Sequence, residues 1–408
     1  MTFGAHPYES PEEPAMRLSQ RRAVVVAAVL TAVLPALGGA AATPEPPGAP
    51  LRMAAQGGIR GQYVVMLRPG TDPGTVLRSV EARAMFTFTS ALVGFAARLT
   101  DGQVSRLRAV PGVEAVEQDT EVAAPNPATQ VTAAAAEVSW GLARIGSRAR
   151  EGGVFSVRAT GAAVTSYIID TGIDFGHAEF GGRAVPGFDA VGDGRDGADC
   201  NGHGTHVAGT VGGAGTGVAR ATKLVSVRVL GCDGRGSVAT VVAGMNWVAA
   251  HAVKPAVANL STGGAHSETA DRAVEGLAAA GVFPVVAAGN SDEDACGVSP
   301  AGAPGAFTVA ATDESDHKAS FSNWGGCVDI SAPGTGITSA AMGGGLVRMS
   351  GTSMAAPHVT GVAALYKDTN GDVSTPFLAS WLLANATPGV PVDAPPGTPP
   401  LLVYTSGL

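Results

Sequence analysis

Aromatic residues are scarce, at 5% of the chain, and charged residues make up only 15%. With few rings to fill it, a core has to come from Val, Ala, Leu and Ile, which suits a parallel sheet covered by helices on both faces. Apolar residues reach 45%, so the shortage of charge does not mean disorder. Glycine is abundant, 57 of 408 residues, yet no Gly-X-Y period occurs, which excludes collagen. No G-x-x-x-x-G-K-[ST] phosphate loop is present, and the run Gly212-Gly213-Ala214-Gly215-Thr216-Gly217 follows a helical pattern rather than a strand. After residue 42 no segment is apolar enough to span a membrane. The net charge of −8 argues against a nucleic-acid binder. Residues 1–122 balance 11 basic against 11 acidic side chains, which leaves 15 against 23 in the rest. That acidity reads as a soluble surface, with a bound cation as the alternative.

Only four cysteines occur, and their meaning depends on compartment. Arg17, Arg21 and Arg22 precede an apolar run from Ala23 to Leu37, and Ala40-Ala41-Ala42 follows it. This is the pattern of an export signal over residues 1–42, with Met16 as an alternative start. A secreted, extracellular protein is expected, with no membrane contact once the signal is removed. In an oxidising compartment Cys200, Cys232, Cys296 and Cys327 can form two bridges in three pairings.

The chain is long enough for two or three domains. Residues 43–61, rich in Pro, Gly and Ala, read as a linker. Residues 62–122 follow a β-α-β-β-α-β order: strands at Tyr63–Leu67, Phe86–Phe88, Val93–Ala97 and Val113–Glu117, helices near Pro73–Ala84 and Asp101–Val110. That is a small α+β, ferredoxin-like unit whose own core would be marginal. Residues 123–136 read as a flexible, exposed, easily cut connector. From residue 137 to 408 strands alternate with helices. Strands are expected at Ala163–Ile169, Leu224–Leu230, Val257–Ser261, Phe283–Ala288 and Phe307–Ala311. Helices are expected at His203–Val211, Ser237–Val253, Ser267–Ala280 and Ser353–Tyr366. The fold class is α/β, a doubly wound and mostly parallel sheet, in which ligands sit beyond the carboxyl ends of the strands.

Three motifs stand at such places. Tyr167-Ile168-Ile169-Asp170 ends an apolar strand in a carboxylate. Gly202-His203-Gly204 puts an imidazole at a helix start between two glycines. Gly351-Thr352-Ser353-Met354-Ala355 puts a hydroxyl at the start of an apolar helix. Alone, Asp170 reads as a cap or turn residue, Ser353 as a cap and His203 as a structural histidine. His203 and His206 as a metal pair lack further ligands nearby. Together the three supply a nucleophile, a base for its proton and an acid to orient the base. Asn290, after the buried strand Val285–Ala288, adds a donor for an oxyanion. The order acid, histidine, serine excludes an α/β-hydrolase, because only His358 follows Ser353, with no acid between them.

The motifs, their order and Asn290 resemble the subtilisin-like serine protease family. Asp199-Cys200-Asn201-Gly202-His203 and Leu230-Gly231-Cys232-Asp233-Gly234 are similar to its secreted proteinase K-like and aqualysin-like branch. Residues 62–122 resemble the family's inhibitory I9-type propeptide. The resemblance implies a serine endopeptidase, made as a self-processing precursor and acting as a monomer, whose propeptide is an intramolecular inhibitor. It implies Asp170 as orienting acid, His203 as base, Ser353 as nucleophile, and Asn290 with the Ser353 N–H as oxyanion donors. Peptide and protein substrates would lie extended between Gly234-Arg235-Gly236 and Ser261-Thr262-Gly263. With Ala287-Ala288-Gly289, the second segment would wall a pocket for apolar or aromatic side chains. Arg235 departs from plain small walls and could favour acidic residues away from the cut bond, and Thr262 bears on the pocket's depth. The resemblance pairs Cys200 with Cys232 and Cys296 with Cys327. It also implies a structural Ca²⁺ on the Asp329 carboxylate and the carbonyls of Pro304 and Ala306. The acidic loop of Asp189, Asp193, Asp196 and Asp199 reads as solvated. The rival function is an inactive homologue that only holds peptides.

Overall fold

The computed structural model describes residues 48–124, 130–131, 139–151 and 153–408. The expected export signal and most of the processing connector lie outside the described residues. Pro47–Leu408 forms one compact unit.

The N-terminal domain contains β1 (Leu51–Arg52), β2 (Gly58–Leu67), α1 (Pro73–Ser79), β3 (Ala84–Phe88), β4 (Gly94–Arg98), α2 (Asp101–Arg108) and β5 (Val113–Ala123). Its sheet runs β1-β5-β2-β4-β3. Asp72 caps α1, and Thr100 with Gln103 forms a capping box on α2. The helix α1 is shorter than the expected Pro73–Ala84, because Glu81 turns into the left-handed region at φ 55°. Two further expectations are corrected. The linker over 43–61 contains β1 and the start of β2, since Leu51 and Arg52 pair in parallel with Val116 and Glu117. The last strand runs six residues beyond Glu117, to Ala123. One face of this sheet packs Val65, Phe95 and Ala97 on Val76 of α1 and on Val104 and Leu107 of α2.

The remaining chain contains β6 (Gln130–Val131), α3 (Trp140–Ile145), β7 (Thr165–Asp170), β8 (Ala184–Asp189), α4 (His203–Gly212), β9 (Lys223–Arg228), β10 (Arg235–Ser237), α5 (Val238–His251), β11 (Ala256–Leu260), β12 (Gly264–Ala265), α6 (Glu268–Ala279) and β13 (Phe283–Ala287). Then follow β14 (Val298–Ser299), β15 (Phe307–Thr312), β16 (Ile330–Pro333), β17 (Ile337–Ala340), β18 (Leu346–Met349), α7 (Thr352–Asn370), α8 (Thr375–Asn385), β19 (Thr387–Pro388) and β20 (Leu401–Leu402). The main sheet has the order β19-β20-β16-β15-β13-β11-β7-β9-β8. All its pairings are parallel except β19 with β20. Strand order reverses at β7, with β9 on one side and β11 on the other. A ligand crevice belongs at the carboxyl end of such a reversal.

Side chains alternate across the sheet. Ala256 and Ala258 face α5 and α6, whereas Val257 between them faces α7. Ile168 packs on α4. The outer surface of α5 and α6 receives the free face of the N-terminal sheet through Val64, Phe88 and Ala96. The small domain therefore completes its burial on the large one, which answers its marginal size.

Polar groups fix this docking. Asn246 of α5 accepts from the N–H groups of Thr89, Ser90 and Ala91 at 2.9, 2.8 and 3.2 Å. Glu117 accepts from the Ser267 hydroxyl and from Thr269 N–H and Oγ1 at the start of α6. Asp119 accepts from Ala239 N–H at 3.0 Å at the start of α5. Two carboxylates of one domain thus meet the positive ends of two helices of the other. Burial pushes the Asp119 carboxyl up, against the bonds from Ala239 and Gln62 that favour its charged form. Gly276 on α6 lies where any Cβ would collide with the Ala91 backbone.

Candidate active site

Asp170, His203 and Ser353 all stand at the carboxyl edge of the main sheet. Asp170 ends β7, His203 opens α4 and Ser353 is the second residue of α7. All three are fully buried, at 1% exposure or less. Asp170 Oδ1 lies 2.8 Å from His203 Nδ1 and also accepts from Thr171 N–H at 2.7 Å. His203 Nε2 is buried and has no hydrogen-bond partner among the described residues. The Ser353 hydroxyl donates to the Ser261 carbonyl at 3.3 Å rather than to His203. Such a bond commonly tightens only with substrate in place. Burial alone would push the His203 imidazole down, but the Asp170 carboxylate, with Asp199 behind it, holds it above the ordinary histidine value.

The start of α4 is tightly seated. A Cβ on Gly204 would come within 2.2 Å of the Gly172 carbonyl oxygen, so only glycine lets the helix meet the loop after Asp170. Asp199 ties this corner together. Its carboxylate accepts from the Thr171 hydroxyl, from the N–H groups of Asn201, Gly202 and Thr205, and from the Thr205 hydroxyl. The acidic loop is thus not simply solvated, which corrects the sequence reading. Asp189 and Asp193 both bind the fully buried Arg228 guanidinium, at 3.0 and 2.5 Å. A buried cation requires such partners. An arginine inside the apolar run Leu224–Leu230 was the signal for them.

Asn290 follows β13 and its Oδ1 accepts from Thr352 N–H at 2.9 Å and Thr352 Oγ1 at 2.7 Å. The carboxamide oxygen is thereby occupied and its NH₂ is left as a donor. Thr352 was part of the serine motif, but its positioning of Asn290 was not legible from sequence. His206 is a packing residue, not a ligand. Its Nε2 bonds the carbonyls of Ile337 and Val347, and burial pushes it down to about 3. His358 is likewise buried, bonds the Met354 carbonyl and is pushed down to about 4.

The chain itself occupies the cleft beside this corner. The end of β5 pairs antiparallel with β10, with Glu121, Val122 and Ala123 opposite Ser237, Gly236 and Arg235. On its other side Ala123 bridges Gly263, and Ala124 N–H donates to the Gly234 carbonyl at 2.9 Å. Beyond Ala123 opens a cavity of about 580 Å³. Its lining includes Ser261, Thr262, Gly263, Ala287, Ala288, Gly289, Asn290 and Ser353. Thr262 is buried, with no hydrogen-bond partner for its hydroxyl among the described residues. Arg235 and Glu121 form an exposed ion pair at 3.2 Å.

The disulfides are Cys200–Cys232 and Cys296–Cys327. The first lies against Arg228, whose Nη2 is 3.4 Å from Cys200 Sγ. The second brackets the segment after Asn290. Asp329 is half-buried and accepts from Thr308 N–H at 2.7 Å. Burial pushes its carboxyl up to about 6. A half-buried carboxylate with a single backbone donor suits a hard cation.

A family model described as the subtilase family matches residues 161–398, more than half of the chain. The chain belongs to the subtilase family of serine proteases. A second model, peptidase inhibitor I9, matches residues 63–124, so this subtilase carries an I9 propeptide ahead of its catalytic domain. Relatives include an alkaline serine exoprotease A of Vibrio alginolyticus, 45% identical over 81% of this chain and 62% of that protein. An extracellular serine proteinase of Thermus sp. (strain Rt41A) is 43% identical over 90% of this chain and 94% of its own length. A crystal structure of a cold adapted subtilisin-like serine proteinase superposes with a TM-score of 0.64 at 48% identity, covering 66% of this subtilase and 98% of that chain.

Proposed function

We propose that this subtilase is a secreted endopeptidase in which Ser353 attacks the peptide carbonyl. His203 takes the hydroxyl proton through Nε2 and later delivers it to the leaving amine. Asp170 holds the ring in the tautomer that leaves Nε2 free to accept, and stabilises its charged form. Asn290 Nδ2 and the Ser353 N–H at the start of α7 receive the oxyanion. The observation that carries this reading is the strand Glu121–Ala123, laid between β10 and Gly263 and ending beside the cavity of Ser353 and Asn290. A peptide substrate would add itself to the same two edges.

The small, uncharged walls at Ala287, Ala288, Gly289 and Gly263 favour a broad range of apolar and aromatic side chains. The propeptide would inhibit by leaving its own tail in the cleft and would be removed when the connector after Ala124 is cut. Export is supported by the arginine and apolar pattern of residues 17–42 and by both disulfides. A fluorophosphonate probe tests the chemistry. It is expected to label Ser353 alone, and a folded, matured protein that stays unlabelled would overturn the reading in favour of a peptide-holding homologue.

We also propose a structural Ca²⁺ on Asp329 with the carbonyls of Pro304 and Ala306. The ion would offset the half-buried carboxylate's charge at the amino end of β16, opposite the carboxyl edge that holds the reacting groups. EDTA is therefore expected to speed heat inactivation severalfold while initial activity stays within twofold. Asp329→Asn should be equally heat-sensitive with or without EDTA. Unchanged inactivation rates on chelation would count against the site.

A further inference from the structure

We propose that the outer edge of β18, at Val347 and Arg348, binds the part of a peptide substrate that leaves after cleavage, and that Arg348 selects an acidic side chain there. The proposal rests on the protease reading above and extends it to the far side of the cut bond.

In the hairpin of β17 and β18, the chain itself fills the outer edge of β18. Gln130 and Val131 pair antiparallel with β18, Val131 opposite Val347 and Gln130 opposite Arg348. Gln130 is only six residues past Ala124, which is bonded to Gly234. At a maximum of about 3.5 Å per residue these six residues reach at most ~21 Å. One short stretch of chain is thus held by β10 and Gly263 at one end and by β18 at the other. The direction also fits. β18 runs into Ser350, Gly351, Thr352 and Ser353, so a strand antiparallel to it moves away from Ser353 as its own residue numbers rise. That is the course the carboxyl-terminal product must take.

The residues of β18 divide by face. Val347 and Met349 are buried with α4, whereas Leu346 and Arg348 are half-exposed on the other face. Arg348 Nε bonds Thr338 Oγ1 at 3.3 Å, and its Nη groups make no hydrogen bond or ion pair to the described residues. In an antiparallel pair, directly opposite residues project to the same face about 5 Å apart. A substrate residue opposite Arg348 therefore stands beside the guanidinium. This chain carries the uncharged Gln130 at that register. Its own segment would use the ladder but forgo the charge, which suits a segment that must leave after processing.

The test uses the matured protein and quenched peptides copying residues 119–128 or 119–133. The longer peptide is expected to show kcat/KM about tenfold higher, the ordinary worth of two ladder hydrogen bonds. Glutamate in place of Gln130 in the longer peptide should be cut about fivefold faster than lysine. Arg348→Ala should erase that preference and leave the shorter peptide unaffected. In the full-length chain, Gln130→Pro with Val131→Pro removes the ladder donors and should slow self-cleavage about tenfold. Gln130→Ala with Val131→Ala keeps the donors and should process normally. Equal rates for the two peptides, or for the proline and alanine variants, would overturn the subsite. A matured protein that cuts neither peptide would overturn the protease reading instead.

Discussion

Ser353→Ala in the full-length chain is expected to leave the precursor whole and to lower peptide hydrolysis by about 10⁶-fold, the loss typical of such a triad deprived of its nucleophile. The change removes one hydroxyl whose recorded bond is a 3.3 Å contact with the Ser261 carbonyl. Alanine is the strongest helix former, and position 353 lies in the first turn of α7, so the fold should survive. Docking of the propeptide through Asn246, Glu117 and Asp119 does not involve Ser353. The variant should therefore accumulate as a folded precursor with the propeptide seated, retaining both disulfides. Intact mass over time, in a preparation free of other proteases, is the readout. Maturation at the wild-type rate would show that the connector is cut by another group or another enzyme.

The parts of the molecule that were legible are those whose signal is local. Asp170 ends an apolar strand, His203 sits between glycines at a helix start, and Asn290 closes the next buried strand but one. Each was readable because a polar group interrupts an apolar run at the sheet's functional edge. The extension of β5 to Ala123 was not readable, because Gln118–Glu121 has no apolar alternation. It is a strand because its partner, β10, lies more than a hundred residues away. The same holds for β1, hidden in a segment rich in Pro, Gly and Ala, and for β6. The role of Asp199 is hidden in the sequence for a related reason. Glycines and carboxylates side by side suggest a solvated loop, yet the Thr171 and Thr205 hydroxyls and Arg228 draw that loop inward. The sequence feature that calls for those carboxylates is the cation within β9.

Asp170→Asn is expected to lower kcat about 10⁴-fold at neutral pH and to shift the rising limb of the pH profile to lower pH. Asp170 Oδ1 serves two donors, Thr171 N–H at 2.7 Å and His203 Nδ1 at 2.8 Å. Both donors meet the same oxygen, so an asparagine that presents its NH₂ at that position donates to Nδ1 and gives up the bond from Thr171 N–H. The imidazole must then accept at Nδ1 and carry its proton on Nε2, where it cannot take the proton of Ser353. The pH effect follows from charge. Burial pushes His203 down, and the carboxylate overrides it, so the wild-type ring gives up its proton only above the ordinary value of about 6.5. Only the neutral ring acts as a base, so wild-type kcat/KM should rise with pH through that elevated value. Without the carboxylate, burial prevails over the more distant Asp199 and the limb moves down. The variant should thus lose rate at every pH yet reach its plateau at a lower one. A fall of less than tenfold with the limb unmoved would mean that Asp170 does not act on His203.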